Sequence, residues 1–454
     1  MLIPTFFLGG LLGLTSLALL FSPWPFLAPA AVVGFAGLMV LYRRPAWGML
    51  ALLALVPFEG LFKSMSVSGA KVLGAAMIAI LFVQWTLGQI PAQSLRSNLW
   101  RPLCVFMVCV LLSLLFSDNK AVSLESLREL LVGMSLFGIV LLSGRDANLL
   151  MLCRLVAGGV AVTCVMSLVS VKYQFQGRAI GLQQDPNHFA LLIAMSVPLA
   201  ALLILRERLA LKFFWAAVGV VLLIGLVKTN SRSGLAVVVL SCLLSAWLHR
   251  DKLRRIRPRH LGFVMLACAV AIPTAAILLP EDYIDRIASL SDVASGIQSN
   301  EDMSLSRRTS YLVAGSRMIA ENPVFGAGPG TFPFHYAKTG YAKAFAMIYV
   351  DDTELFRRAH NTYMEIFSEM GIPAGLIFMA LIYLALRNYV RARAACVARN
   401  DTDQAFAVAY FGLSMLTIAL FMAFLSVPNH KFLWAFLAMS SVLQPADEPK
   451  GDAT

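Results

Sequence analysis

Charge is what this chain has least of. Only 14% of its residues are charged, against about 25% in an ordinary soluble protein. That scarcity excludes a soluble globular domain with a solvated surface. The seven cysteines, Cys104, Cys109, Cys153, Cys164, Cys242, Cys268 and Cys396, form no Cys-x-x-Cys pair, and none lies in the long polar segment 281–359. A disulfide framework and a zinc site are therefore not expected, and the thiols read as small apolar packers. There is no GxxxxGK[ST] run and so no P-loop nucleotide pocket. Neither a metal nor a cofactor is expected. No internal repeat is visible, which counts against a transporter built from two similar halves. No basic residue precedes the first apolar stretch, Leu11 to Leu20, so that stretch is not read as a cleavable signal.

What is present is apolar length. Hydrophobic residues make up 59% of the 454, and the mean hydropathy is +0.76. Stretches near the length of a bilayer crossing recur from end to end. They fall near 4–21, 24–42, 46–61, 70–88, 101–117, 126–143, 148–171, 188–205, 211–228, 232–248, 261–279, 363–386, 405–426 and 430–444. The expected fold is all-α: a polytopic transmembrane bundle of about 12–14 spans. The short stretches 46–61 and 430–444 leave room for a re-entrant pair. The chain divides into N-terminal helices (1–170), helices with the first arginine motifs (171–280), a long loop (281–359), C-terminal helices (360–444) and a polar tail (445–454) read as disordered.

The formal charge of +12 would admit nucleic acid, but its placement argues for topology instead. With the N-terminus in the cytoplasm, more than half of the Lys and Arg collect on the cytoplasmic side. Arg43-Arg44, the run Arg250 to Arg259 and the run Arg387 to Arg399 all fall there. This positive-inside pattern puts both termini in the cytoplasm and segment 281–359 outside. Glu59 and Lys63, at an outer edge, read as an ordinary i,i+4 pair.

Against that pattern, a few outer-side cations stand out. Arg178 lies in a loop with Gly177 and Gly181, which permit tight turns, and Asp185-Pro186-Asn187 reads as a turn and cap before the next span. Arg178 is either a ligand for a lipid diphosphate or a snorkelling head-group contact. Lys228-Thr229-Asn230-Ser231-Arg232-Ser233-Gly234 is a very short joint, where Ser231 or Ser233 can cap the next helix. A helix start beside an arginine suits an anion. Ser306 is placed as the cap of a helix over 306–321 that carries Arg307, Arg308 and Arg317 and stops at Asn322-Pro323. Gly326-Ala327-Gly328-Pro329-Gly330 is either an anion-binding nest or, by preference, a turn. Aromatics between 332 and 349 fit an interfacial belt or stacking on sugars. The segment closes at Arg357-Arg358-Ala359-His360-Asn361, where a histidine sits as the loop re-enters lipid. Glu365 and Glu369 follow. Gly371-Ile372-Pro373 is expected to break the helix there.

Four pieces in this order resemble the O-antigen ligase and O-antigen polymerase superfamily of bacterial inner-membrane proteins. They are Gly177-Arg178-Ala179-Ile180-Gly181 with Asp185-Pro186-Asn187-His188; Thr229-Asn230-Ser231-Arg232-Ser233-Gly234; Arg308 with Glu321-Asn322-Pro323-Val324-Phe325-Gly326-Ala327-Gly328; and His360-Asn361-Thr362-Tyr363 with Glu369-Met370-Gly371-Ile372-Pro373. The resemblance spans roughly 170–385 and implies a metal-independent, inverting glycosyltransferase. It would take a glycan from undecaprenyl diphosphate on the periplasmic face. Arg178, Arg232 and Arg308 are then expected to hold the diphosphate and His360 to activate the acceptor hydroxyl. Arg307, Asn187, Asn361 and Glu365 are expected in support. Arg307 and Arg308 are adjacent, so the family's counterpart is left between them. The acceptor is lipid A–core for a ligase, another lipid-linked glycan for a polymerase, or a protein hydroxyl. A flippase for the same lipids is the competing class, and it needs no base.

Overall fold

The computed structural model describes residues 27–62, 69–183, 185–248, 303–346 and 355–444, with scattered positions between 13 and 25. The candidate span 261–279, the start of the long loop, most of span 4–21 and the tail 445–454 lie outside the described residues. The fold is all-α with one two-residue-strand hairpin. Its elements are α1 (Leu27–Arg43), α2 (Pro45–Leu55), α3 (Gly69–Thr86), α4 (Trp100–Leu115), α5 (Lys120–Ser143) and α6 (Leu149–Val169). Then come β1 (Gln174–Phe175), β2 (Arg178–Ala179), α7 (Pro186–Arg206), α8 (Leu209–Lys228) and α9 (Arg232–Leu248). The rest are α10 (Met303–Glu321), α11 (Phe332–Ala337), α12 (Gly340–Ala346), α13 (Thr362–Ala398), α14 (Thr402–Phe421) and α15 (Lys431–Val442).

Seven of the described helices are long and apolar enough to cross a membrane, or eight if a bent pair counts as one span. That pair fits the room left for a re-entrant pair: stretches 24–42 and 46–61 bend by 111° at Arg44. Pro45 opens α2 at its first position, where its missing N–H costs nothing but its ring disfavours a helical Arg44. The stretches ending as α4, α9 and α15 are shorter apolar helices.

The helices start where side chains replace missing backbone partners. Asn119, Asn148, Asp185, Asn361 and Asp401 each accept from a backbone N–H of the first turn. At the centre stands α7, packed against α6, α8, α9 and α14. Its residues Phe189 to Met195 are fully buried. By contrast α3 and α8 point apolar side chains outward, such as Phe82, Phe213 and Phe214, as lipid-facing helices do.

Helix α13 holds the expected break. Gly371 has φ 86° and ψ 167° inside it, so a short helix, 362–370, precedes the main run. The released groups bond to the glycine-rich loop. Ile372 N donates to the Pro323 carbonyl, Ala327 N to Ser368 and Gly328 N to Glu369. The Glu369 carboxylate accepts from Gly330 N at 2.7 Å and Phe332 N at 3.0 Å. The glycine run is thus the turn preferred from sequence, and its last glycine, with Phe332, donates to the Glu369 carboxyl.

One smaller correction and one further pairing follow. Helix α10 begins at Met303, so Ser306 lies inside it rather than capping it. Glu59 pairs with Lys431 at the start of α15, and Lys63 lies outside the described residues.

Candidate active site

The four motifs converge on one end of the bundle, at the start of α7. The chain reaches it through the β1–β2 hairpin. Gln176 and Gly177 both have positive φ, at 50° and 74°, the geometry of a two-residue turn that suits strand twist. This hairpin aims Arg178 at the end of α8. Its Nε donates to the Thr229 carbonyl at 2.8 Å and its Nη2 to Asn230 at 3.4 Å. Arg178 therefore braces the turn that carries Arg232.

Asp185 caps α7 by accepting from Asn187 N at 2.7 Å and His188 N at 3.0 Å. Asn187 then reaches the second motif, its Oδ1 accepting from the Ser231 hydroxyl at 3.0 Å. Ser231 also accepts from Gly234 N at 3.3 Å, so of the two candidate serines it is Ser231 that caps α9. Arg232 is the first residue of that helix.

On the other flank stands α10. Arg307 lies over the ring of Phe345, 5.5 Å from its centroid. Arg308 acts on His360. Of the adjacent pair, Arg308 is the one placed with the histidine. Ser310 bonds the Tyr336 hydroxyl at 2.9 Å, and Tyr311, Phe332 and Tyr336 build a small second core under α10.

His360 is half-buried and sits at φ 48°. That left-handed conformation is uncommon for a residue with a Cβ and stands only where neighbours enforce it. The neighbours are strong. Asn361 caps α13 by accepting from Met364 N at 3.0 Å, so its side chain is spent on the helix. The Thr362 hydroxyl donates to the Leu425 carbonyl and accepts from Val427 N at 2.9 Å. The His360 ring lies against Tyr311, centroids 5.6 Å apart. Burial, then the charge of Arg308, lowers the His360 pKa to about 4, with Arg357 and His188 acting the same way and Asp185 opposing. His360 is neutral at pH 7.

Glu365 is buried and paired with Arg358, so it balances that arginine and is not the partner of His360. Three charged or titratable neighbours of His360 are absent from the expected site: Arg357, Asp185 and His188. Each lies within or beside a quoted motif, and only the fold shows that the two loops meet. Among the described residues no group of three His, Cys, Asp or Glu can hold a metal ion.

A polytopic helical membrane protein with arginines and histidines, the neutral His360 among them, gathered at a bundle end is suited to handling a large anion beside a bilayer. Residues 217–379 match the family model described as O-Antigen ligase. That match supports a likeness to the O-antigen ligase superfamily over this stretch, and with it membrane glycosyl transfer of ligase or polymerase type. The matched stretch contains Arg232, Arg308 and His360, while Arg178 and Asn187 precede it. No curated protein matches the chain.

Proposed function

We propose that this protein moves a glycan from undecaprenyl diphosphate to an acceptor hydroxyl on the periplasmic face of the inner membrane. The acceptor we favour is lipid A–core, as in an O-antigen ligase. The observation that carries the reading is the meeting of His360 with Arg308 at the start of α7. The bond from the sugar anomeric carbon to the diphosphate oxygen breaks, and its electron pair leaves with the diphosphate. Arg308 and Arg232 stabilise the growing charge, and Arg178 does so from a position fixed by the carbonyls of Thr229 and Asn230. Such stabilisation speeds the step because the charge is larger in the transition state than in the ground state.

The acceptor oxygen attacks from the opposite side and inverts the centre. Its proton passes to His360. A base with a pKa near 4 is weak, but a diphosphate neutralises the surrounding arginines. That loss of positive charge raises the histidine's pKa as the donor binds. No metal is needed, since the arginines do the work of a cation clamp.

The test uses purified protein in detergent with EDTA, a diphosphate-linked glycan and lipid A–core. Glycan appearing on lipid A–core supports the reading. Elongation of the lipid-linked glycan alone makes the protein a polymerase. No covalent transfer to any acceptor, with the lipid-linked glycan bound, leaves a flippase.

A further inference from the structure

At the end of the bundle opposite His360 lies an open cavity of about 640 Å³. It sits where the end of α5, the starts of α6 and α14, and the ends of α7, α13 and α15 converge. Three arginines line it, Arg145, Arg206 and Arg399, with Val442 and Leu443 on the apolar side. Two aspartates, Asp401 and Asp403, also face it, and both are engaged. Asp403 pairs with Arg206, and Asp401 caps α14 by accepting from Gln404 N at 2.9 Å. Arg145 gives one Nη2 hydrogen to the Gln93 carbonyl at 2.9 Å, while its Nε is buried without a hydrogen-bond partner. Exposed Arg399 has no ion pair among the described residues.

We propose that this cavity binds the phosphate of an anionic phospholipid in the leaflet opposite the transfer site. Arg145 and Arg399 bring two guanidinium groups to one cavity, where an anion can accept from both. The cavity also meets the starts of two long helices, α6 and α14, whose N-terminal ends favour negative charge. The volume suits a phosphoglycerol head. The apolar side suits its first methylenes, which a free phosphate lacks. The cavity also lies at helix-end height, where head groups are.

The test measures bound lipid on the full-length protein by native mass spectrometry after exchange into phosphatidylglycerol or phosphatidylcholine. Wild type should retain phosphatidylglycerol in preference. Arg145→Ala/Arg399→Ala should weaken that retention by at least roughly tenfold, the scale of one lost charge-assisted bond. Arg399→Ala alone, at an exposed position, keeps the fold and should show part of the loss. Arg391→Ala, outside the cavity on the same end, should show none. Equal retention of both lipids by wild type, or unchanged retention in the double variant, overturns the proposal. Inorganic phosphate or glycerol phosphate stabilising the protein where phosphatidylglycerol does not would overturn the lipid assignment.

Discussion

The ring of Tyr311 lies 27° from parallel with the ring of His360, joining the arginine-bearing helix α10 to the start of α13. The contact fixes the plane of the histidine, and therefore the direction in which its ring nitrogens point. Tyr311→Phe keeps the ring and should transfer at close to the wild-type rate. Tyr311→Ala frees His360 and should lower kcat by about 10- to 100-fold, since small misplacements of a reacting group are expensive. Steady-state transfer assays on the two variants check this.

Arg308 and Arg307 separate cleanly in the structure, and their variants should separate too. Removing the Arg308 charge takes away one of the influences that lower the His360 pKa. Arg308→Ala should therefore lose most transfer, with the acid limb of its residual kcat/KM moving to higher pH. Arg307→Ala removes a cation stacked on Phe345 and should leave that limb where it was. A pH series from 4 to 8 on both variants distinguishes them.

Gly371 should tolerate no side chain. Its φ of 86° is unfavourable for any L-residue, and an added Cβ would lie 2.1 Å from the Val324 carbonyl oxygen. Gly371→Ala should cost about 2–4 kcal/mol and loosen the loop that runs from α10 to Glu369. The readout is a lower unfolding midpoint in detergent, with poor yield of folded protein.

His360 should make the fold acid-sensitive. Burial, then the charge of Arg308, holds its pKa at about 4, against roughly 6.5 in an unfolded chain. As pH falls, the unfolded state takes up its proton first. The stability this group allows is complete above about 6.5 and declines as pH falls towards its folded value. His360→Asn, which tolerates the same left-handed backbone, should therefore show a smaller drop in unfolding midpoint between pH 7 and pH 5 than wild type.

The spans were legible because a bilayer demands long apolar runs, and the helix ends at Asp185 and Asn361 were legible from their capping side chains. The break at Gly371 was legible from Gly and Pro standing together. The break at Arg44 was legible from Pro45 and the gap between two apolar stretches, but its 111° angle was not, because periodicity records length and not direction. The pairing of Glu59 with Lys431 was hidden for the same reason that the neighbours of His360 were. Asp185 and His360 are far apart in sequence, and only the packing of α14 against both α7 and α13 brings their loops together. Arg178 stood out as an outer-side cation, but its bonds to Thr229 and Asn230 required the hairpin's aim to be known.

The most direct measurement is transfer by the His360→Ala protein. Donor glycan, acceptor and EDTA are mixed with purified wild type or variant, and donor binding is measured separately. The wild type should transfer with EDTA present. The variant should bind the lipid-linked donor normally but transfer about 100- to 10,000-fold more slowly, the range a general base supplies. Transfer by His360→Ala at the wild-type rate would contradict the assignment of His360 as the base.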